Sequence, residues 1–359
     1  MREKNEFEGG ALDSSMLESG TLENSLCDSG LRDSSLRDAP RRRGAVWTKR
    51  AMLAIAGMSI AILVAGCGGG DQKAAEIEVD PEYRSEINLW RIQRQEIATN
   101  PDGLLTPVGL FWVTQKAHFV GSGGRSGMRI PNGPPSLGML QQSGKRLFFR
   151  PESHVAITAD GTPSRGSIEL RDDTYGDPTV IGFDEGKGQL RLVRSGGRVA
   201  VQVKHADAAA RAQFKGLDFW PIDPAWKLQA TYVPHPPDKT LEVVAVTGMT
   251  EIVRNPGYVQ FQRGESTYKL DVLDVGNPDW LLIFADMTSG HDSYGQGRYI
   301  DLPRVASQGP IAVDLNRAYN PPSAFTSYTT AILAPRDNRV DFAVTAGEKR
   351  YGGKPQPQQ

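Results

Sequence analysis

The chain has 359 residues, with 41 basic and 42 acidic side chains and a formal net charge of −1 at pH 7. A balanced chain without a basic stripe argues against nucleic acid as a partner. Its two cysteines, Cys27 and Cys67, both precede the part that we expect to fold. That part has no thiol for a disulfide, a metal site or a nucleophile, so we predict neither a metal nor another cofactor.

Residues 1–50 are predicted to lie outside the folded part. Residues 1–43 are rich in Ser, Asp, Glu, Gly and Arg, and leucine is nearly their only large apolar residue. The leucines recur at about five-residue spacing, but a few weak repeats cannot enclose a core. Two interpretations stay open: a disordered cytosolic leader, or a start codon assigned too far upstream.

Residues 51–66 have the properties of a signal-peptide apolar region. They carry no charge, follow the basic pair Lys49-Arg50, and are short for a bilayer span, which needs about 20 residues. Val64-Ala65-Gly66-Cys67 resembles the lipobox of bacterial lipoproteins. The resemblance implies cleavage before Cys67, a lipid on its thiol, and export to a membrane of the bacterial cell envelope. The alternative is an uncleaved membrane helix with a chance cysteine.

A polar tether, residues 67–79, is predicted to lead into a helix. Asp80-Pro81-Glu82 is typical of a helix start, and Asn100-Pro101 of a helix end. Apolar residues recur at helical spacing and predict one packed face of a brace helix. They are Tyr83, Ile87, Trp90 and Ile97.

Short apolar runs bounded by Gly, Pro, Asn or Asp predict strands in the remainder of the first part, residues 80–217. They cover residues 109–113, 116–121, 145–150, 154–158, 167–171, 179–183, 188–196 and 198–204. The last two alternate apolar and polar residues around Ser195-Gly196-Gly197, which indicates a hairpin. Residues 207–214 suggest a short helix.

A second β series predicts a C-terminal domain, residues 218–351, followed by a disordered tail, residues 352–359. Its expected strands are 227–233, 240–246, 257–262, 267–275, 279–286 and 339–347. The predicted fold is therefore mainly β, with two abutting β domains and a short N-terminal brace helix. The first domain is a sandwich, and the second is barrel-like or a sandwich.

Residues 90–351 resemble the bacterial domain-of-unknown-function family numbered 1684. The segment 316–326, NRAYNPPSAFT, carries the likeness most specifically. The family's usual cysteines after Asn-Pro-Pro and after the next Tyr-Ala-Thr are Ser323 and Ala331 here. Any metal or redox role of that pair in relatives is absent from this chain. The resemblance implies no established activity.

The first half also looks like the β-sandwich of forkhead-associated phosphopeptide-binding domains. Arg125, Ser136 and Asp160 fall nearest that family's binding positions. The histidine usual after the serine is missing, so the resemblance implies a shared fold with a lost or different site.

Two polar loops, residues 286–298 and 314–325, are the candidate ligand-binding region. Crowded polar loops on a β scaffold commonly carry function, although they also satisfy buried loop carbonyls. The candidates are Asp286, Thr288, His291, Tyr294, Arg298, Asp314, Asn316, Arg317, Tyr319 and Asn320.

Three functions remain open at this point. The first is an envelope protein that binds a polar small molecule, a glycan or an envelope partner. The second is an envelope hydrolase using Asp286 or Asp314 with His291 or Tyr319. The third is a structural module. No nucleophile elbow, His-Glu-x-x-His motif or nucleotide fingerprint occurs in the sequence.

Overall fold

The computed structural model of the protein describes residues 77–173 and 176–352. The predictions for the leader, the apolar signal region, Cys67 and residues 353–359 lie outside the described residues. Within the described ranges, no helix combines the length and apolarity that crossing a bilayer requires.

Helix α1 (Pro81–Thr99) begins and ends where the sequence predicts. The carboxylate of Asp80 accepts from the backbone N–H of Tyr83 at 2.9 Å, as an N-cap does. The packed face differs from the prediction. Ile87, Arg94 and Ala98 are buried, whereas Ile97 is 48% exposed. Arg94 lies seven residues after Ile87, and Ala98 lies four residues after Arg94, so the buried stripe passes through an arginine. A search for apolar residues at helical spacing overlooks Arg94 because it is charged.

The first part of the fold is a sandwich of two sheets, which confirms the mainly β prediction. A five-stranded sheet has the order β3-β2-β4-β5-β8, and a six-stranded sheet has the order β1-β11-β10-β9-β6-β7. The first sheet comprises β2 (Ala117–Gly121), β3 (Met128–Arg129), β4 (Gly138–Ser143), β5 (Arg146–Pro151) and β8 (Ile168–Leu170). The second comprises β1 (Pro107–Trp112), β6 (Ile157–Ala159), β7 (Thr162–Ser164), β9 (Ile181–Phe183), β10 (Gly188–Ser195) and β11 (Arg198–His205). One apolar core joins them.

The hairpin β10–β11 is the element that positions the pocket described below. Gly196 and Gly197 have φ values of 55° and 79°, which a two-residue turn of type I′ requires and glycine adopts without strain. Ser195 pairs with Arg198 across the turn. Because side chains alternate along paired strands, Leu190 and Val203 enter the core, and Arg191 and Lys204 lie on the opposite face.

The second part is built on a seven-stranded sheet preceded by the one-turn helix α2 (Ala209–Ala212). The strand order is β17-β16-β15-β14-β12-β18, with β13 paired to β14. The strands are β12 (Lys227–Pro234), β13 (Thr240–Val244), β14 (Thr250–Arg263), β15 (Ser266–Asp274), β16 (Trp280–Phe284), β17 (Arg298–Leu302) and β18 (Gly309–Asp314). Both faces are covered, since β16 is buried at every residue and its alternate side chains enter two different cores.

The strand predicted at residues 339–347 was wrong. Within this segment only Arg339 forms a β-bridge, to Ala285, and the rest is irregular. Val340, Val344 and Ala346 are buried, as the alternating pattern indicates, but the carbonyls of Val344 and Ala346 accept hydrogen bonds from an arginine side chain. Arg298 therefore satisfies two carbonyls of this segment, while Val340 and Phe342 keep backbone hydrogen bonds to Ala285 and Met287.

Candidate functional site

Asp286 and Arg298, from the first predicted loop, form a buried ion pair. Arg298 begins β17 and its Nη2 donates to Oδ2 of Asp286 at 2.5 Å. The other carboxylate oxygen, Oδ1, accepts from the backbone N–H and the hydroxyl of Thr288, at 2.5 and 2.6 Å. The two paired side chains are 1% and 0% exposed. Asp286 is thus saturated by internal donors.

The guanidinium of Arg298 is enclosed on its remaining sides. Its Nη1 donates to the carbonyl of Ala346 at 2.5 Å and its Nη2 to that of Val344 at 2.9 Å. The rings of Trp220 and Phe284 lie 5.0 and 5.3 Å from its central carbon. Burial lowers the pKa of Arg298, and the charge of Asp286 opposes that shift. The pair therefore joins the loop to the segment that follows residue 340.

The other candidates of the first loop lie near this ion pair, but they do not form a shared cavity with it. The hydroxyl of Thr288, which donates to Asp286, accepts from the hydroxyl of Ser293 at 2.7 Å. Tyr294 is half-buried and donates to Gln296 and to the carbonyl of Ser323, at 2.9 and 3.0 Å. His291 is exposed. The loop closes on itself and on the second loop.

Asp314, Asn316 and Arg317 form a second group, at the start of α1. The carboxylate of Asp314 accepts from the hydroxyl of Tyr83 at 2.9 Å and from the backbone N–H of Asn316 at 3.0 Å. Nδ2 of Asn316 donates to the carbonyl of Asp223 at 2.8 Å. Arg317 pairs with Glu86 of α1. Burial, followed by the charge of Asp314, raises the pKa of Tyr83.

Tyr319 and Asn320 belong to a third group, near the middle of α1. Nε of Arg94 donates to Glu348 at 2.7 Å, and the other carboxylate oxygen of Glu348 accepts from the backbone N–H of Asn320 at 2.8 Å. The Arg94 guanidinium lies 4.2 Å from the ring centre of Tyr319. Burial raises the pKa of Tyr319, whose hydroxyl donates to Asp301 at 2.8 Å.

The predicted candidates therefore occupy three separate hydrogen-bonded groups. No hydrogen bond among the described residues joins Asp286 or Arg298 to Asp314 or Asn320. Two buried polar atoms of the second loop, Oδ1 of Asn320 and Oγ of Ser323, have no partner within the described ranges. No set of three His, Cys, Asp or Glu side chains in this part of the chain has the arrangement of a metal site.

An open cavity of about 360 Å³ lies elsewhere, over the outward face of the β10–β11 hairpin. We call it the hairpin pocket. Its size is within the range of small-molecule sites. It is lined by the end of α1 and the loop after it, by the two hairpin strands and by the second predicted loop. The lining residues are Ile97, Asn100, Asp102, Gly103, Leu104, Pro107, Arg191, Gln202, Lys204, Pro322, Thr326 and Thr329.

Two basic side chains give the hairpin pocket its charge. No carboxylate of the described residues lies within 4 Å of the Arg191 guanidinium or the Lys204 ammonium, since neither forms an ion pair there. Burial, together with the charge of Arg191, lowers the pKa of Lys204 to about 8, against the opposing charge of Asp102. Burial also lowers the pKa of Arg191. The pocket therefore holds two cations in a partly desolvated setting.

The position of Arg191 is fixed by Gln202, which lies opposite it on the neighbouring strand. Nε of Arg191 donates to Oε1 of Gln202 at 3.0 Å, and Nε2 of Gln202 donates to the carbonyl of Tyr328 at 2.8 Å. Gln202 is 5% exposed. These residues were not predicted from the sequence, because polar side chains on the outward face of an alternating hairpin are the ordinary pattern of a solvent-facing surface.

The forkhead-associated positions do not converge in the structure. Arg125 is exposed, Ser136 donates to Glu152 at 3.0 Å, and Asp160 pairs with Arg171 at 3.4 Å. No hydrogen bond of the described residues joins the three. The likeness of the first half to that family stays a prediction.

Comparisons with known proteins agree with the resemblance found in the second half. The family described as "Protein of unknown function (DUF1684)" matches residues 212–349. This confirms the predicted family for that part of the chain, including both polar loops. No curated protein matches the chain.

Among solved structures, the chain is similar to an uncharacterized protein of Haloarcula marismortui determined by solution NMR. The identity is 26%, over 39% of this chain and 78% of that one, with a TM-score of 0.34.

Proposed function

We propose, for a chain whose residues 212–349 match a family of unknown function, that the protein is an exported lipoprotein that binds a small polar ligand in the hairpin pocket. The observation that carries the proposal is the pair of basic side chains, Arg191 and Lys204, without a carboxylate partner among the described residues, at an open cavity of about 360 Å³. Of the two predicted loops, only residues 314–325 contribute to this pocket, through Pro322, and Thr326 and Thr329 follow that loop in the chain.

The rigidity of the pocket walls supports a binding role. Arg191 and Lys204 stand on paired strands whose opposite face is core, and Gln202 holds the arginine in place. A side chain that is already ordered loses little entropy when a ligand arrives, so more of the interaction energy appears as affinity.

Binding is tested by thermal unfolding of the purified protein in the presence of a panel of small metabolites and glycans. A ligand at about 100 times its Kd stabilises the folded state by about 2.7 kcal/mol. We expect at least one polar compound to raise the midpoint, and we expect Arg191→Gln to reduce that rise by about half, as a roughly tenfold weaker affinity predicts. A panel that leaves the midpoint unchanged contradicts the proposal.

Membrane anchoring is a separate part of the proposal, and it is supported by the sequence Val64-Ala65-Gly66-Cys67 after an uncharged apolar region. Nine residues lie between Cys67 and Ile77, where the described chain begins, and a linker of this length at roughly 3.3 Å per residue keeps the fold close to the bilayer.

Fractionation and mass spectrometry test the anchor. The wild-type protein should sediment with membranes and carry lipid on Cys67, and Cys67→Ala should lack the lipid and keep residues 1–66 attached. An unmodified Cys67 in the mature protein refutes the anchor without affecting the pocket.

A hydrolase that uses the carboxylates of the two loops is the weaker alternative. Asp286 is buried and saturated by Arg298 and Thr288, and Asp314 has different partners. A general base must reach the proton that it abstracts, and neither carboxylate lines the hairpin pocket. A purely structural role is the third alternative, and ligand binding at the pocket would refute it.

A further inference from the structure

We infer that the ligand of the hairpin pocket is a compact organic anion whose carboxylate or phosphate group binds between Arg191 and Lys204. The inference rests on the proposed function and adds the chemical class of the ligand. The structural basis is a pair of cations on one face of one hairpin, neither of which forms an ion pair within the described chain.

The hairpin register brings the two cations within reach of one anionic group. Arg191 pairs with Gln202, and Lys204 stands two residues farther along the same strand. Diagonal neighbours on one face of an antiparallel pair are about 7–8 Å apart, a gap that two long side chains span from either side. A single carboxylate or phosphate between them would contact both.

The hydrogen bonds already present leave donors free. Arg191 uses only its Nε, toward Gln202, so its two Nη groups have no partner among the described residues. Two parallel N–H groups match the two oxygens of a carboxylate or phosphate. Lys204 donates to the backbone carbonyl of Asp102, a neutral acceptor that leaves the ammonium charge uncompensated.

Two carboxylates reduce the positive potential of Arg191 and Lys204 without forming an ion pair with either side chain. Asp102 lines the pocket and its charge acts on both Arg191 and Lys204, and the charge of Asp173 acts on Arg191. Neither is within ion-pair distance of the two cations in the described structure. They reduce the positive potential and favour a compact ligand that reaches Arg191 and Lys204 directly.

The rest of the lining indicates an organic body. Leu104, Pro107 and Pro322 provide an apolar wall, and the buried residues Thr326 and Thr329 carry hydroxyls at the other side. Ligand pockets combine an apolar lining with a few placed polar groups in this way. A bare inorganic ion would leave the apolar wall unused.

The test is isothermal titration of the full-length protein in detergent with four anions, acetate, glutarate, citrate and inorganic phosphate, and with two neutral compounds, glutaramide and glycerol. Glutaramide matches glutarate in length and lacks its charge. We expect at least one organic anion to bind and both neutral compounds to fail. We expect Arg191→Gln and Lys204→Gln each to weaken that binding roughly tenfold, since a charge-assisted contact is lost.

Arg198→Gln is the matched control variant. It removes the same charge from the same strand, but Arg198 lies outside the pocket, over the ring of Trp112. The affinity of Arg198→Gln for the anion should remain within about twofold of wild type. Arg198 is exposed and lies six residues from Lys204 along the strand, and exposed charges so far apart are largely screened. Thermal unfolding of each variant establishes that it is folded.

The outcomes separate the inference from the proposed function. If glutaramide or glycerol binds and no anion does, the pocket binds ligands but the inference fails. If an anion binds equally to wild type and Arg191→Gln, the inference also fails. If phosphate binds and no organic anion does, the organic body is refuted. If the six compounds and the wider panel all fail, the proposed function falls as well.

Discussion

Two polar regions of this molecule differ in what their charges do. At Asp286 and Arg298, every side-chain nitrogen and oxygen except Nε of Arg298 has an internal partner within the described chain, and both side chains are closed to solvent. In the hairpin pocket, Arg191 and Lys204 keep donors and charge that no described carboxylate satisfies. Polar crowding alone therefore does not identify a site. Hydrogen-bond donors without a partner beside an open cavity are a better indication of a binding site.

Removing Arg298 should have the largest effect on stability. Arg298→Met leaves the carboxylate of Asp286 buried without its counter-ion, and losing one partner of a buried pair costs about 3–5 kcal/mol. Urea unfolding at neutral pH measures the loss. The double variant Asp286→Asn with Arg298→Met should be more stable than the sum of the single losses. Strict additivity would show that the two side chains do not interact.

Arg94→Met should have the next largest effect. Glu348 is 0% exposed, and without Arg94 its carboxylate keeps only the backbone N–H of Asn320. We expect a loss of about 2–4 kcal/mol in urea unfolding. Arg84→Met is the control, because Arg84 is exposed on the same helix and should change the free energy of unfolding by less than about 0.5 kcal/mol. Equal effects of the two variants would contradict a buried pair.

Tyr83→Phe should have a moderate effect. The variant removes a hydroxyl that donates to Asp314 and accepts from Asn316, and a hydrogen bond to a charged group contributes about 1.5–3 kcal/mol. Asp314 keeps its bonds from Asn316, so we expect the lower end of that range. Chemical denaturation measures it, and an unchanged midpoint would refute this role of the hydroxyl.

The smallest of the expected effects is a change of anion affinity with pH in the hairpin pocket. The pKa of Lys204 is lowered to about 8, so its ammonium loses its proton as pH rises from about 7 to about 9. Arg191 stays protonated in this interval. Anion affinity should therefore fall roughly three- to tenfold over it, with the exact value set by Asp102 and by the anion itself. Titration calorimetry of Lys204→Gln provides the control, which should lose the dependence.

The sequence predicted local structure where one segment determines it. Each cap of α1 acts on a residue three or four positions away, Asp80 on Tyr83 and Asn100 on Glu96, and the two glycines of the hairpin determine their own turn. It also indicated the right family for residues 212–349. These features depend on local backbone chemistry or on a contiguous motif.

Features that depend on distant segments were not predictable in the same way. β17 begins at Arg298 and β18 ends at Asp314, and both residues lie in segments that were interpreted as loops because of their polar side chains. The partners that bury these two side chains are far along the chain, so the local sequence does not indicate a strand there. Segment 339–347 alternates like a strand, yet its carbonyls bond to Arg298. The hairpin pocket combines four separate stretches of chain, so no single motif contains it.

Helix α1 has a consequence for how the molecule is made. Its contacts join residues that are 231 and 254 positions apart, through Tyr83 with Asp314 and Arg94 with Glu348. A ribosome that has just released α1 has not yet synthesised either acceptor, so the helix must wait for almost the entire remaining chain before its buried arginine finds a counter-charge. The fold is thus complete only after β18 and the segment that follows it have been synthesised. A prematurely terminated chain would expose an unpaired Arg94 to proteases and chaperones.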